Sequence, residues 1–151
     1  MIQRIQTVYL LLAAIVSAVC LFLQIGYYEP ETMGVGYRLY NLYALDTDRA
    51  MTFRTCPLFV LLVAETIVSI FAIFKYGNRK QQARLCTASM VILLFWNITA
   101  IAYGYLFGYE GHTFHFAWPA FLPALAFFLV LMARRGILSD ERLVRAADRI
   151  R

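Results

Sequence analysis

Four long apolar runs, separated by polar connections, set the pattern of this chain. Residues 7–25, 85–107 and 116–133 carry no charge, and residues 58–74 carry one, Glu65. A hydrocarbon core about 30 Å thick takes roughly 20 helical residues at 1.5 Å each. With small extensions, the runs predict transmembrane helices over residues 7–25, 57–75, 85–107 and 117–133. The connections leave no room for a soluble domain. The expected fold is therefore all-α, a four-transmembrane-helix bundle forming a single integral membrane domain over residues 1–151, with an outer loop at 26–55 and a tail at 134–151.

Composition agrees, with 62% hydrophobic and 15% charged residues against about 25% charged in an average soluble domain. The first run resembles a signal peptide in following Arg4. However, it is too long for an ordinary h-region, and no small-residue cleavage site follows it. The segment SAVC, ending at Cys20, has the bulky Val19 where a lipoprotein cleavage box needs a small residue.

Charge then sets orientation. Arg4, the connection KYGNRKQQAR and the tail hold eleven of the fourteen basic residues, whereas the two other loops hold three, Arg38, Arg49 and Arg54. The positive-inside rule places both termini in the cytoplasm, and the predicted location is the bacterial inner membrane. Glu29, Glu31, Asp46, Asp48 and Glu110 fall on the outer side, so the net charge of +5 hides a polarised molecule. Its basic character reads as topology and contact with lipid headgroups, not nucleic-acid binding.

The outer loop crowds Tyr27, Tyr28, Tyr37, Tyr40 and Tyr43 around Pro30, Gly34 and Gly36. Its segment GYRLYNLYAL fits a short hairpin or an interfacial helix, and the tyrosines fit an outer aromatic belt or a ligand-binding lid. The second outer loop, GYEGHTFHFAWP, reads as the same belt. It holds His112 and His115, but a metal site needs three or four ligands and only Glu110 stands near, so no metal or other cofactor is expected. Cys20, Cys56 and Cys86 form no C-x-x-C pair and read as small apolar packing residues.

Within the spans, Pro119 suits a first helical turn and Pro123 predicts a kink. Ala100, Gly104 and Gly108 form a small-residue ridge for close helix contact. In the tail, Gly136 predicts the end of the last span. Ser139, Asp140 and Glu141 then predict the start of a short amphipathic helix, with Leu143, Ala147 and Ile150 on one stripe and Arg142, Arg145 and Arg149 on another. Such a helix anchors to the membrane surface or docks a partner.

Three segments, MIQRIQTVYLLLAA, NRKQQARL and SDERLVRAADRIR, resemble a bacterial family of uncharacterised four-span inner-membrane proteins defined by a domain of unknown function. The resemblance covers essentially the whole chain. Departures are small: Ala146 stands where the family usually has Ser, and the loop between the first two helices is variable. The resemblance implies four helices with the three motifs on the cytoplasmic side, and brings no activity, substrate or cofactor. It directs attention to Arg4, Asn78, Arg79, Lys80, Arg84, Asp140, Glu141, Arg145, Asp148 and Arg149, expected to form a charged, salt-bridged cytoplasmic interaction platform beside Gln3, Gln6 and Gln82.

Glu65 is the other clue. A central charged residue opposes insertion by about 2.5–3.5 kcal/mol. The twelve Leu, Ile, Val and Phe of residues 58–74 favour it by about 4–7 kcal/mol at most, so the helix inserts but its carboxyl needs an environment. Ser69 lies one helical turn on, and counting from the ends of the runs puts Ser17 and Asn97 at similar depth. The predicted intramembrane cluster is Glu65, Ser69, Asn97 and Ser17, with no Lys, Arg or His inside any span. No nucleophile–base pair or ligand cluster points to an enzyme. The expected function is that of a non-enzymatic scaffold or accessory subunit of a membrane complex, with lipids, a membrane-protein partner or a second copy as its contacts. The alternative is a subunit of a transporter or ion-coupled machine that uses Glu65.

Overall fold

Inward-facing positions recur every three or four residues along each apolar run, and that spacing builds the bundle. The computed structural model describes residues 2–31, 36–46, 51–106 and 111–148. Four helices, α1 (Ile2–Phe22), α2 (Cys56–Phe74), α3 (Arg79–Tyr105) and α4 (Leu122–Asp148), pack in a ring, each against the two beside it. On α2 the buried residues are Leu58, Leu62, Glu65, Ser69 and Ala72. On α3 they run from Gln82 through Cys86, Ser89, Leu93, Trp96 and Ala100 to Gly104. Alternating steps of four and three keep one narrow seam turned inward. Many seam residues are small, which lets the helices approach closely where lipid gives no hydrophobic drive to associate.

The outward faces are apolar on every helix: Leu11 and Ile15 on α1, Ile67 and Phe71 on α2, Phe95 and Ile98 on α3, and Phe128 and Met132 on α4 are all exposed. All four helices are long and apolar enough to cross a membrane. Residues 75–78 connect α2 to α3, where Asn78 Oδ1 accepts from the Gln81 N–H at 3.2 Å and caps the new helix. The start of α1, the end of α4 and this turn lie at one end of the bundle, the terminal end.

The other end departs from an all-α fold. It carries an antiparallel sheet of β1 (Gln24–Pro30), β2 (Tyr37–Tyr40), β3 (Ala44–Asp46), β4 (Met51–Thr52) and β5 (His112–Phe116), in the order β4-β3-β2-β1-β5. Gly26 and Tyr28 face in while Tyr27 and Glu29 face out, the period of two that a half-buried strand requires. A bulge between Gln24 and Gly26 re-aims the chain as it leaves α1. Strand β5 comes from the second outer loop and pairs with β1, Tyr27 opposite His115 and Tyr28 opposite Phe114. The two outer loops thus build one sheet. Gly34, Asp48, Arg49, Gly108 and Glu110 lie outside the described residues.

Buried polar contacts fasten the sheet to the helices. Asn41 Nδ2 donates to the Cys20 carbonyl at 2.6 Å and Asn41 Oδ1 accepts from Trp96 Nε1 at 3.1 Å. The Tyr28 hydroxyl donates to the Tyr103 carbonyl. Phe114 seats its ring between Gly26 and Gly104: a Cβ on either glycine would fall 2.5 Å from the ring. The glycine of the predicted helix-packing ridge therefore makes room for a strand residue.

Helix α4 differs from expectation at both ends. Pro123 is its second residue, after a 3₁₀ turn at Trp118–Phe121, so the missing N–H costs no helical bond and no kink is needed. At the other end α4 runs unbroken through Gly136 to Asp148, without a separate amphipathic helix. A glycine inside a helix costs about 1 kcal/mol against alanine. Here it has a packing reason, since a Cβ at Gly136 would lie 2.9 Å from Gln6 Cγ.

Gly104→Ala should lower the thermal midpoint in detergent micelles, opposite in sign to the helical gain of about 1 kcal/mol that propensity alone gives. In a Phe114→Ala background the same change should become neutral or stabilising, and a double-mutant cycle measures the difference.

Candidate functional site

Position 65 sits on the inward seam of α2, so the side chain enters the middle of the bundle and is fully buried. The Ser69 hydroxyl, one turn along the same face, donates to Glu65 Oε1 at 2.6 Å. The Ser89 hydroxyl of α3 donates to the same oxygen at 3.0 Å, and the two serine oxygens are 3.2 Å apart. Ser17 of α1, also fully buried, lies close to the carboxyl. Its hydroxyl and Glu65 Oε2 both lack a hydrogen-bond partner of ordinary geometry. Three helices thus meet at one carboxyl group. Among the described residues, no other titratable side chain bonds to it.

Asn97 is not part of this cluster. Half-buried, it donates to the Leu93 carbonyl of its own helix at 2.8 Å, the local escape open to a polar side chain inside a helix. Thr66 and Thr99 make the same bond to Leu62 and Phe95. The serine that does face Glu65 is Ser89, which sequence reasoning missed. Ser89 stands only four residues into the uncharged run that starts at 85, whereas α3 begins at Arg79. Counted from the turn, Ser89 is ten residues into α3 and Glu65 nine residues from the end of α2.

The terminal end converges on Asp140, a buried residue of α4. Gln6 Nε2 of α1 donates to Asp140 Oδ2 at 2.8 Å, and Arg79 of α3 donates to the Asp140 backbone carbonyl at 3.0 Å. Three segments far apart in sequence are thereby joined, through an amide–carboxyl bond and a guanidinium–carbonyl bond. Above this junction Arg134 Nε donates to Thr87 Oγ1 at 2.9 Å. Lys80 and Arg84 are exposed, Arg79 and Glu141 half-buried, and Gln82 buried behind them. The side chains of Arg4, Arg145 and Asp148, and the whole of Arg149, lie outside the described residues.

At the sheet end Tyr27 stacks on His115 at 5.2 Å, and His115 Nε2 lies 3.7 Å from Glu29. His112 packs edge-on against Tyr37. Among the described residues no three His, Cys, Asp or Glu side chains gather as a metal-binding group. Cys20, Cys56 and Cys86 are free thiols.

Four helices able to cross a membrane, a carboxyl group at their centre and a sheet across one end define the architecture of a helical membrane protein. The chain belongs to the family defined by a domain of unknown function, DUF4293, whose profile matches residues 2–150. No curated protein matches the chain.

Removing both donors by S69A/S89A leaves a buried carboxyl without hydrogen bonds and should cost roughly 2 kcal/mol or more. Glu65→Gln, which keeps an acceptor for the two serines, should cost less. Asp140→Ala strands the buried Gln6 amide and should cost about 1–3 kcal/mol, more than Ser139→Ala one residue away. Reversible unfolding in mixed micelles reads all of these changes.

Proposed function

We propose that the chain is a multi-pass protein of the bacterial cytoplasmic membrane, with both termini in the cytoplasm, acting as a non-enzymatic scaffold or accessory subunit. The observation carrying this reading is that Glu65 spends its carboxyl on joining helices. One oxygen accepts from Ser69 and Ser89, and among the described residues no second titratable group bonds to it to relay a proton. The orientation rests on the concentration of Lys and Arg at the terminal end. There Lys80, Arg84, Arg135 and Arg142 face outward, while Asp140 is taken up in holding the segments together. Those exposed cations form the platform on which a cytoplasmic partner or a second subunit docks.

The second reading, an ion-coupled subunit, draws on the other carboxyl oxygen. Glu65 Oε2 and Ser17 Oγ are buried without partners. An acceptor and a hydroxyl in that state are what a transported ion or proton would use.

In proteoliposomes under an imposed pH or sodium gradient, the scaffold reading expects no flux above empty vesicles. Flux in the wild type that Glu65→Gln abolishes would establish the ion-coupled reading instead. For the platform, Lys80→Gln with Arg84→Gln and Arg142→Gln should release any stoichiometric cytoplasmic partner. Retention of every partner overturns the platform. Orientation is read separately in native cells, where a cysteine replacing the exposed Ser139 should react only with membrane-permeant maleimide.

A further inference from the structure

The contacts between α3 and α4 at the terminal end fix the register of these helices. Arg79 of α3 bonds to Asp140 of α4, and eight residues along α3 Thr87 bonds to Arg134, six residues back along α4. Arg84 stands level with Gly136 in this register. Thr87 donates its hydroxyl proton to the Ala83 carbonyl at 2.9 Å and accepts from Arg134 Nε with its oxygen. The hydroxyl is thereby fixed in orientation, and the guanidinium is held at the lip of the α3–α4 groove. The two Nη groups of Arg134, and the whole Arg84 guanidinium, have no partner among the described residues. Residues 84, 87 and 91 follow at helical spacing, so Arg84, Thr87 and Val91 share one exposed flank of α3.

Deeper along the groove the surface becomes apolar. Val91 and Leu94 of α3 are nearly half exposed, and Leu131 and Phe127, three and seven residues back from Arg134 on the same flank of α4, are half-buried. The described acids of this end, Asp140 and Glu141, stand elsewhere. Asp140 is buried against Gln6, and Glu141 lies two helical turns beyond Arg134, level with the Asn78 cap of α3 rather than with Arg84. Two cations therefore stand at the terminal end of an exposed apolar flank, on helices long enough to cross a membrane.

We propose that this groove is a binding site for one anionic glycerophospholipid, its phosphate held by Arg84 and Arg134 and its acyl chain lying along Val91, Leu94, Leu131 and Phe127. Guanidinium forks suit phosphate oxygens in both geometry and charge, and basic pockets between transmembrane helices bind anionic headgroups in this way. Arg134 is already oriented by Thr87, so less freedom is lost when the lipid arrives.

The proposal rests on the membrane-embedded reading of the bundle and is independent of the scaffold role. Native mass spectrometry of the full chain in mild detergent, titrated with phosphatidylglycerol or phosphatidylcholine, tests it. Phosphatidylglycerol should bind about tenfold more tightly or better. In R84Q/R134Q that preference should fall to within about twofold, whereas Arg38→Gln at the sheet end should leave it intact. Should the double variant fail to fold, Arg84→Gln alone keeps the Arg134–Thr87 contact and should lose part of the preference. Equal binding of the two lipids by the wild type, a preference that survives in the arginine variants, or its equal loss in Arg38→Gln would overturn the site. The maleimide labelling reports membrane topology separately, so a missing preference with intact topology counts against the lipid site alone.

Discussion

A carboxyl group at the centre of an apolar bundle can only be satisfied by the protein around it, because hydrocarbon offers no hydrogen bonds. Glu65 meets this constraint with hydroxyl groups placed on the inward seams of two helices, Ser69 and Ser89, while Ser17 of a third faces it. Serine is small enough to sit in a seam and polar enough to donate, so one residue type serves both close packing and hydrogen bonding. The small residues along the same seams, Ala13, Ala72, Cys86 and Ala126, belong to this arrangement. They let the helix axes approach until short side chains can bridge them. Packing and polarity in the core are one constraint, and the bundle is organised around it.

Each end of the bundle has its own polar fastening. At the sheet end Asn41 is fully buried and uses its amide group in both directions, toward the Cys20 carbonyl and the Trp96 indole. That places the sheet against the ends of α1 and α3. At the terminal end Asp140 receives Gln6 and Arg79, tying α1 and α3 to α4. Between these fastenings the outward surface is almost wholly apolar, as a bundle that crosses a membrane requires. Most of the exposed Lys and Arg residues, Lys75, Lys80, Arg84, Arg135 and Arg142, gather near the terminal fastening, against Arg38 and Arg54 at the sheet end. That asymmetry gives the molecule a charged end, available for headgroups or a partner.

How much was legible depended on whether the deciding contact was local. Glu65 and Ser69 are one turn apart, so spacing alone put them on one face. Asn97 was placed beside Glu65 by depth, but depth does not fix azimuth, and Asn97 found an acceptor in its own helix at Leu93. Ser89 was overlooked because the polar segment RKQQAR begins α3 before the apolar run starts, which shifts every depth counted from the run. Gly136 carried the local signature of a helix end. The side chain that gives the glycine its purpose, Gln6, lies 130 residues earlier in the chain.

The sequence by itself determined four membrane-length helices, the asymmetry of basic charge and the presence of one carboxyl within the apolar runs. These follow from composition and from periods of three to four residues, which any stretch of chain displays on its own. Tertiary structure decided the five-stranded sheet, the serine that completes the central cluster and the continuous last helix. Each depends on segments that are distant in sequence: β1 pairs with β5 across some 85 residues, Ser89 reaches Glu65 from another helix, and α4 is continuous where Gln6 packs on its glycine. Such pairings leave no periodic trace in either partner alone, so only the folded chain reveals them.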